Sequence, residues 1–233
     1  MRDLIRIGLQ GGWTRRDLSD AHLLPVHHGG LPPADPRTMA VTWIGHASWL
    51  VRVDGRAILI DPVWSNTIPG VRPRLTPPGV RWADLPAIDA VVVTHDHIDH
   101  FDKPTLARLP RDVAVLVPAK VGGWFRRQGF RRVLELDWWE QADVDGLKLA
   151  CLPAAHWSGR HPLAVYRSLW ASWLITSPAG QRIYHSGDTA YGSHFSEISA
   201  RYPGIDLALI AAGAYAPRWF QSSAHVDPHA AVQ

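Results

Sequence analysis

The 233-residue sequence has one cysteine and two methionines, and of its 24 basic residues only Lys103, Lys120 and Lys148 are lysines. A single thiol excludes an intrachain disulfide and is compatible with a reducing compartment. Its setting, "LKLACLPA" around Cys151, reads as a buried strand thiol, not a nucleophile. No apolar run reaches the ~18 residues that a membrane-spanning helix needs. The opening "MRDLIRIGLQGGWTRRDLSD" has scattered charges and no apolar central stretch, so it does not read as a signal peptide. These features predict a cytoplasmic protein, with contact at a membrane surface left open, because a lipid groove can touch a bilayer without a span. Charge is also scarce: the net value is +3 with a sequence pI near 9.3. The excess is arginine, which binds phosphate well, but it is too small to predict a nucleic-acid partner. No fixed-period repeat or low-complexity tract is present. The twelve tryptophans are the one compositional surplus, and core or groove lining is their expected place.

The length suits one substantial domain. Residues 1–40 stand apart. "HLLPVHHGGLPPADPRT" is rich in Pro, Gly and His and has no clear period, so an irregular N-terminal arm is expected there. His22, His27 and His28 in it are expected to be loop histidines, not ligands. From residue 41 to 233 short strand-like runs alternate with turns. "VTWIGHAS" and "WLVRVDG" lead to "RAILIDP", with Asp54-Gly55 as a hairpin signal. The Pro-rich "IPGVRPRLTPPGVRW" reads as a loop. "IDAVVVTH" reads as a strand buried on both faces. "KPTLARL", "VGGWFRRQGF" and "SHFSEISARYPG" are expected helices, and "HVDPHAAVQ" opens another, with Asp227 as N-cap and Pro228 behind it. "DVAVLVP", "RVLELDWW", "LKLACLPA", "ASWLITS", "QRIYHSG" and "IDLALIAAGAY" are expected strands. Many strands with a few interspersed helices fit two sheets with helices on the outer faces, an α/β (α+β) arrangement.

"VVVTHDHIDHFD" places His95, His97, Asp99 and His100 at the end of the most apolar strand. His95 and His97 are two residues apart, so on an extended chain they point to the same side. Asp99 and His100 follow after the chain has turned and can face a neighbouring point. Imidazole and carboxylate donors without thiolates suit Zn²⁺, with Fe or Mn as the alternatives. "LPAAHWSGR" adds His156 and "YHSGDTAYG" adds Asp188, each just past a strand. A carboxylate there could bridge two metals ~3.5–4 Å apart.

"THDHIDH" matches the HxHxDH signature, and the chain resembles the metallo-β-lactamase superfamily. Within it, "WIGHAS", "LIDPVWS", "PAAHWSGR", "HSGDTAYG", "GAYAPRWF" and "HVDPHAAV" are similar to the branch containing N-acyl-phosphatidylethanolamine-hydrolysing phospholipase D. The similarity runs from about Met39 to the C-terminus. It implies an αββα sandwich with two zinc ions at one edge. His95, His97 and His156 would hold the first, Asp99 and His100 the second, and Asp188 would bridge them. The superfamily has one more histidine on the second metal, after the "HVDP" segment; this sequence has none there, which implies a truncated C-terminal part, an incomplete second site or a borrowed ligand. A further departure is Ala224, where the phospholipase has a polar residue.

The resemblance implies a hydrolase in which a metal-bridging hydroxide attacks phosphorus or a carbonyl carbon. Asp99 would orient it or shuttle its proton, or serve only as a ligand. His225 would be a catalytic or substrate-binding residue and Arg218 a phosphate ligand, with a structural ion pair the alternative for Arg218. Asp61 and His185 are expected to orient ligand histidines from behind. His46 is expected to be a hydrogen-bonded structural histidine, with a place near the site, which the branch motif implies, as the alternative. Trp157, Trp219 and Phe220 would line an acyl groove or pack in the core. Three function classes stay open: a hydrolase of a phosphodiester such as an N-acyl phospholipid; a lactonase or other phosphodiesterase of the same superfamily; and an inactive fragment.

Overall fold

The computed structural model describes residues 30–33, 35, 38–67 and 74–233. Most of the expected arm over 1–40, with His22, His27 and His28, lies outside the described residues, as does part of the Pro-rich connection after Ile68.

Eleven strands form two sheets among the described residues. β1 (Ala40–Gly45), β2 (Ser48–Val53), β3 (Arg56–Ile60), β4 (Ala90–Val92), β5 (Ala114–Pro118) and β6 (Arg132–Leu136) make the first, in that spatial order. β7 (Gln141–Val144), β8 (Leu147–Leu152), β9 (Ser172–Thr176), β10 (Arg182–His185) and β11 (Leu207–Leu209) make the second, ordered β11-β10-β9-β8-β7. β1 to β3 are an antiparallel meander. The β2–β3 hairpin turns at Asp54 and Gly55, both with positive φ, as the two-residue hairpins matched to strand twist require. β3 to β6 run parallel. They need crossovers, two of which carry the short helices α1 (Lys103–Leu106) and α2 (Gly123–Arg127). Two more helices follow, α3 (His194–Arg201) and α4 (Arg218–Gln221).

The inner faces of the two sheets meet in one apolar layer. Val51, Ile58, Val92 and Leu116 of the first pack on Leu149, Cys151, Trp173 and Ile183 of the second. The opposite face of the first sheet, with Leu50, Leu59 and Val115, is covered by Leu106 and Phe125 from α1 and α2. The outer face of the second, with Leu152 and Tyr184, is covered by Ile198 of α3. Four layers, α/β/β/α, result. β4 is buried on both faces because the second sheet covers Ala90 and Val92 and the helices cover Val91.

Two expected elements differ. "IDLALIAAGAY" keeps only Leu207–Leu209 as strand, and Ala208 is exposed: β11 is the sheet's edge, paired on one side only. The helix expected from Asp227 is a 3₁₀ turn over Ala230–Val232. Asp227 does accept from the Ala230 amide at 3.0 Å through Oδ1. β7 is a strand that the sequence did not announce: "QADV" is polar at both exposed positions. Among the described residues no helix is long and apolar enough to cross a membrane.

Candidate metal centre

The turn after β4 carries His95 to His100, and buried hydrogen bonds fix its start. Asp61, just past β3, is fully buried with φ 41°. Its Oδ1 accepts from the Thr94 amide (2.8 Å), and its Oδ2 accepts from the Thr94 hydroxyl (2.6 Å). Its own carbonyl accepts from buried Ser48 of "GHAS" at 2.6 Å, and that hydroxyl accepts from the Val63 amide. The sequence segments "GHAS", "LIDP" and "VVVTH" are thereby locked together. The far side of the turn is held by Asp96, whose Oδ1 accepts from the Gly159 amide at 2.7 Å, and by Arg160, which donates to the Asp96 and Phe101 carbonyls.

His156 and Asp188 arrive from the ends of β8 and β10. Buried Thr189 staples their turns: its Oγ1 accepts from the Ala155 amide at 2.9 Å, while the Val226 amide donates to its carbonyl at 2.7 Å. Gly187 precedes Asp188 with φ 57°. A Cβ there would stand 2.9 Å from the Ala171 carbonyl oxygen and 3.0 Å from Thr94 Cβ, so only glycine brings the carboxylate this close to the β4 turn.

The ring nitrogens converge. His97 Nδ1 lies 2.8 Å from His95 Nε2 and 3.3 Å from His156 Nε2. The outer nitrogens determine which inner ones carry lone pairs. The Thr94 hydroxyl proton goes to Asp61, so its oxygen accepts the His95 Nδ1 proton at 2.8 Å and leaves His95 Nε2 bare. His156 Nδ1 donates to the Ala224 carbonyl at 3.0 Å, leaving its Nε2 bare. His100 Nδ1 donates to Asp61 at 2.7 Å. Its Nε2 is buried without a hydrogen-bond partner and points at Asp188 Oδ2, 3.3 Å away. These inward atoms need a cation between them, a proton on His97 Nδ1 and on His100 Nε2 in the metal-free protein or a metal ion in their place. Nitrogen and carboxylate donors without sulfur also suit Zn²⁺, Fe or Mn. The residues therefore fit a metal. Donor atoms within 4.8 Å of one another group as His95, His97 and His156; His95, His100 and Asp188; His156, Asp188 and His225; and His46, Asp99 and His100.

The protonation equilibria agree. Burial, helped by neighbouring imidazoles, pushes His95 well below the usual histidine range and His97 to about 4. Burial likewise draws His156 down to about 4 against the pull of Asp188. Burial opposes charge on His100 too, but Asp188, Asp99 and Asp61 outweigh it and hold that ring well above the ordinary value. Burial would raise Asp188, and His100 with His95 and His156 overrides it. Without a metal, a proton on His100 is the cation of the site.

The structure brings together His95, His97, Asp99, His100, His156, Asp188 and His225. Asp188 Oδ2 stands between the groups, 3.9 Å from His156 Nε2 and 3.8 Å from His225 Nδ1. Arg218 is set apart: it ion-pairs with Asp227 at 2.6 Å, is 70% exposed, and is not among the cavity-lining residues. His185 is fully buried behind Asp188 and accepts from the Gly187 amide through Nδ1 at 3.1 Å. His46, which the sequence pattern left as structural, lies 3.0 Å from Asp99 Oδ2. A cavity of about 1150 Å³ opens onto the cluster, walled by Trp43, Trp49, Trp157, Tyr166, Ile210 and Phe220.

A four-layer αββα fold with histidines and aspartates at the ends of β4, β8 and β10 is the metallo-β-lactamase arrangement. The sequence model of the β-lactamase superfamily domain matches residues 56–233, and the chain belongs to that superfamily. It is 41% identical over 219 residues to an uncharacterized protein of Mycobacterium tuberculosis, covering 90% of this chain and 58% of the relative. It is 35% identical over 230 residues to N-acyl-phosphatidylethanolamine-hydrolyzing phospholipase D 1 of Caenorhabditis elegans, covering 90% and 64%. The chain thus spans 58% and 64% of the length of these two curated relatives. Among solved structures it is similar to a protein described as a possible metal-dependent hydrolase from Veillonella parvula. That match has a TM-score of 0.64 at 22% identity and covers 76% of this chain and 72% of the other; it bears on the fold alone.

Proposed function

We propose that this chain is a zinc-dependent hydrolase with two metals per site, acting on a phosphodiester of the N-acyl-phosphatidylethanolamine class. One observation carries the reading: unprotonated imidazole nitrogens and carboxylates converge at the floor of a large cavity with aromatic walls. The likeness to the nematode phospholipase D supports the choice of substrate. His95, His97 and His156 would hold one metal, Asp99 and His100 the other, with Asp188 shared. Metal ions there supply a Lewis acid and lower the pKa of water toward 7.

The protein's own groups do the rest. Thr94, Asp61 and the Ala224 carbonyl keep the outward ring nitrogens protonated, so the inward lone pairs stay available. Asp99 is part-buried and held ionised, since burial is overridden by His100 and His46; its free lone pairs can orient the attacking water or take its proton. His225 is 15% exposed at the cavity wall beside Asp188, where it can donate to a phosphoryl oxygen. Trp157 lies against His97 with centroids 4.0 Å apart and screens that side of the site from water. Exposed Trp43 and Tyr166 at the cavity would let an acyl chain enter from a bilayer surface, which favours peripheral membrane contact.

The test is turnover of N-acyl-phosphatidylethanolamine, a soluble phosphodiester and a lactone by zinc-loaded and chelator-treated protein. Metal-dependent release of N-acylethanolamine is expected. Metal-dependent lactone opening without phosphodiester cleavage would overturn the substrate assignment, and activity indifferent to chelation would overturn the metal.

A further inference from the structure

His46 belongs to none of the ligand sets that the sequence pattern suggests, yet its geometry is unusual for a turn residue. It sits between β1 and β2 with φ 52°, a left-handed conformation that costs a non-glycine residue energy and persists only where the surroundings hold it. The Trp43 indole holds it here, donating to the His46 carbonyl at 2.9 Å. The ring is thereby aimed across at the β4 turn. Its Nε2 comes 3.0 Å from Asp99 Oδ2, and its edge faces His100 with centroids 5.5 Å apart. Around a tetrahedral zinc with bonds of ~2.0–2.1 Å, neighbouring donor atoms stand about 3.3 Å apart. The spacings here are 3.0 Å for His46–Asp99, 3.9 Å for Asp99–His100 and 3.3 Å for His100–Asp188. They bracket that value, and His100 Nε2 is the buried atom left without a partner. The ring is also about half exposed and lines the cavity, so core packing does not explain its position.

We propose that His46 is itself a metal ligand, joining through Nε2 the coordination of the second ion with Asp99 and His100, the three donors that lie within 4.8 Å of one another. The proposal rests on the two-metal reading above. It places one ligand on the β1–β2 turn, so the second site is assembled from both ends of the first sheet's connections and faces the cavity directly. The competing use of the same 3.0 Å contact is that His46 Nε2–H donates to Asp99 and positions it without touching a metal.

The experiment is NMR of the full chain carrying ¹⁵N-labelled imidazoles and loaded with ¹¹³Cd²⁺, reading the couplings from cadmium to ring nitrogens. Two variants accompany it: His46→Gln, whose amide can still donate to Asp99 but offers no imidazole, and His46→Ala. The wild type is expected to show a cadmium signal coupled to His46 and His100 and another coupled to His95, His97 and His156. His46→Gln should weaken the ion coupled to His100 by roughly tenfold or more and leave the ion coupled to His95, His97 and His156 unchanged. Two cadmium signals without coupling to His46, or a His46→Gln protein that binds both ions as the wild type does, would overturn the ligand role and leave the two-metal reading standing. No cadmium bound to the wild type would overturn both. Metal-free thermal melting checks that the variants fold; if they do not, the wild-type couplings decide alone.

Discussion

Replacing Asp61 by asparagine changes one oxygen to an NH₂ group, far behind the cavity. Asp61 Oδ1 must remain an oxygen, because the Thr94 amide donates to it at 2.8 Å. The new NH₂ therefore takes the place of Oδ2, facing the Thr94 hydroxyl at 2.6 Å and His100 Nδ1 at 2.7 Å. It can only donate. His100 Nδ1 must then become an acceptor, which moves the ring proton to Nε2. The Thr94 hydroxyl, now receiving a proton from the amide, turns its own toward His95 Nδ1, 2.8 Å away, and the His95 proton moves to Nε2 as well. One isosteric change thus caps the inward nitrogen of a histidine in each group. Regaining the useful tautomer means giving up a buried hydrogen bond, ~1–3 kcal/mol, so each metal should bind about 5- to 150-fold more weakly. The metal-free protein keeps its hydrogen bonds with their direction reversed but loses the Asp61 charge that helps hold a proton on His100, so its melting temperature should fall somewhat while the protein still folds. Chelator competition with zinc, paired with melting of the stripped protein, measures both. Wild-type zinc affinity in Asp61→Asn would refute the tautomer argument; a stripped variant with no cooperative melting transition would show that Asp61 acts through folding instead.

Gly187→Ala should act on the same site through the backbone. With φ 57° and a Cβ 2.9 Å from the Ala171 carbonyl oxygen, we expect a loss of about 1–3 kcal/mol together with weaker metal binding, because Asp188 must move. Calorimetry shows it, and an unchanged Tm would contradict the close packing. Metal-free protein should also lose stability as pH falls from about 6.5 to 4. His97, His156 and His185, each brought to about 4 chiefly by burial, take up protons in the unfolded chain first, at ~6.5. His100, with its raised value, contributes stability that is complete below ~6.5 and is lost only above it, so it does not offset the fall. Urea midpoints at pH 7 and pH 5 test this; a midpoint that is level or higher at pH 5 would refute it.

The metal turn was legible because its signal is local. Apolar β4 followed by His95, His97, Asp99 and His100 is one stretch of chain, and period-two spacing puts the first two rings on one side. The layers were legible for a similar reason, since strand and helix runs alternate and each sheet face must be covered. β7 was not, because an edge strand beside a hairpin turn has too little apolar surface to announce itself. Arg218 and His46 show a different limit. Arg218 sits nine residues before Asp227, and only the turn between them decides that the guanidinium meets that carboxylate at 2.6 Å and not the cavity. His46 lies 53 residues from Asp99, on a turn whose place depends on β1 pairing with β2, β2 with β3, and β3 with β4. No spacing rule spans three strand registers. What the sequence does carry is the means of holding the ring there: glycine before it, a tryptophan three residues earlier whose indole donates to the strained turn's carbonyl, and Ser48 just after, tied to Asp61. The contact with Asp99 is thus a product of the same hydrogen-bond network that sets the His95 and His100 tautomers, and a change at Asp61 or Ser48 should be felt at His46 before it is felt at His156, which Thr189 and the Ala224 carbonyl hold from the other sheet.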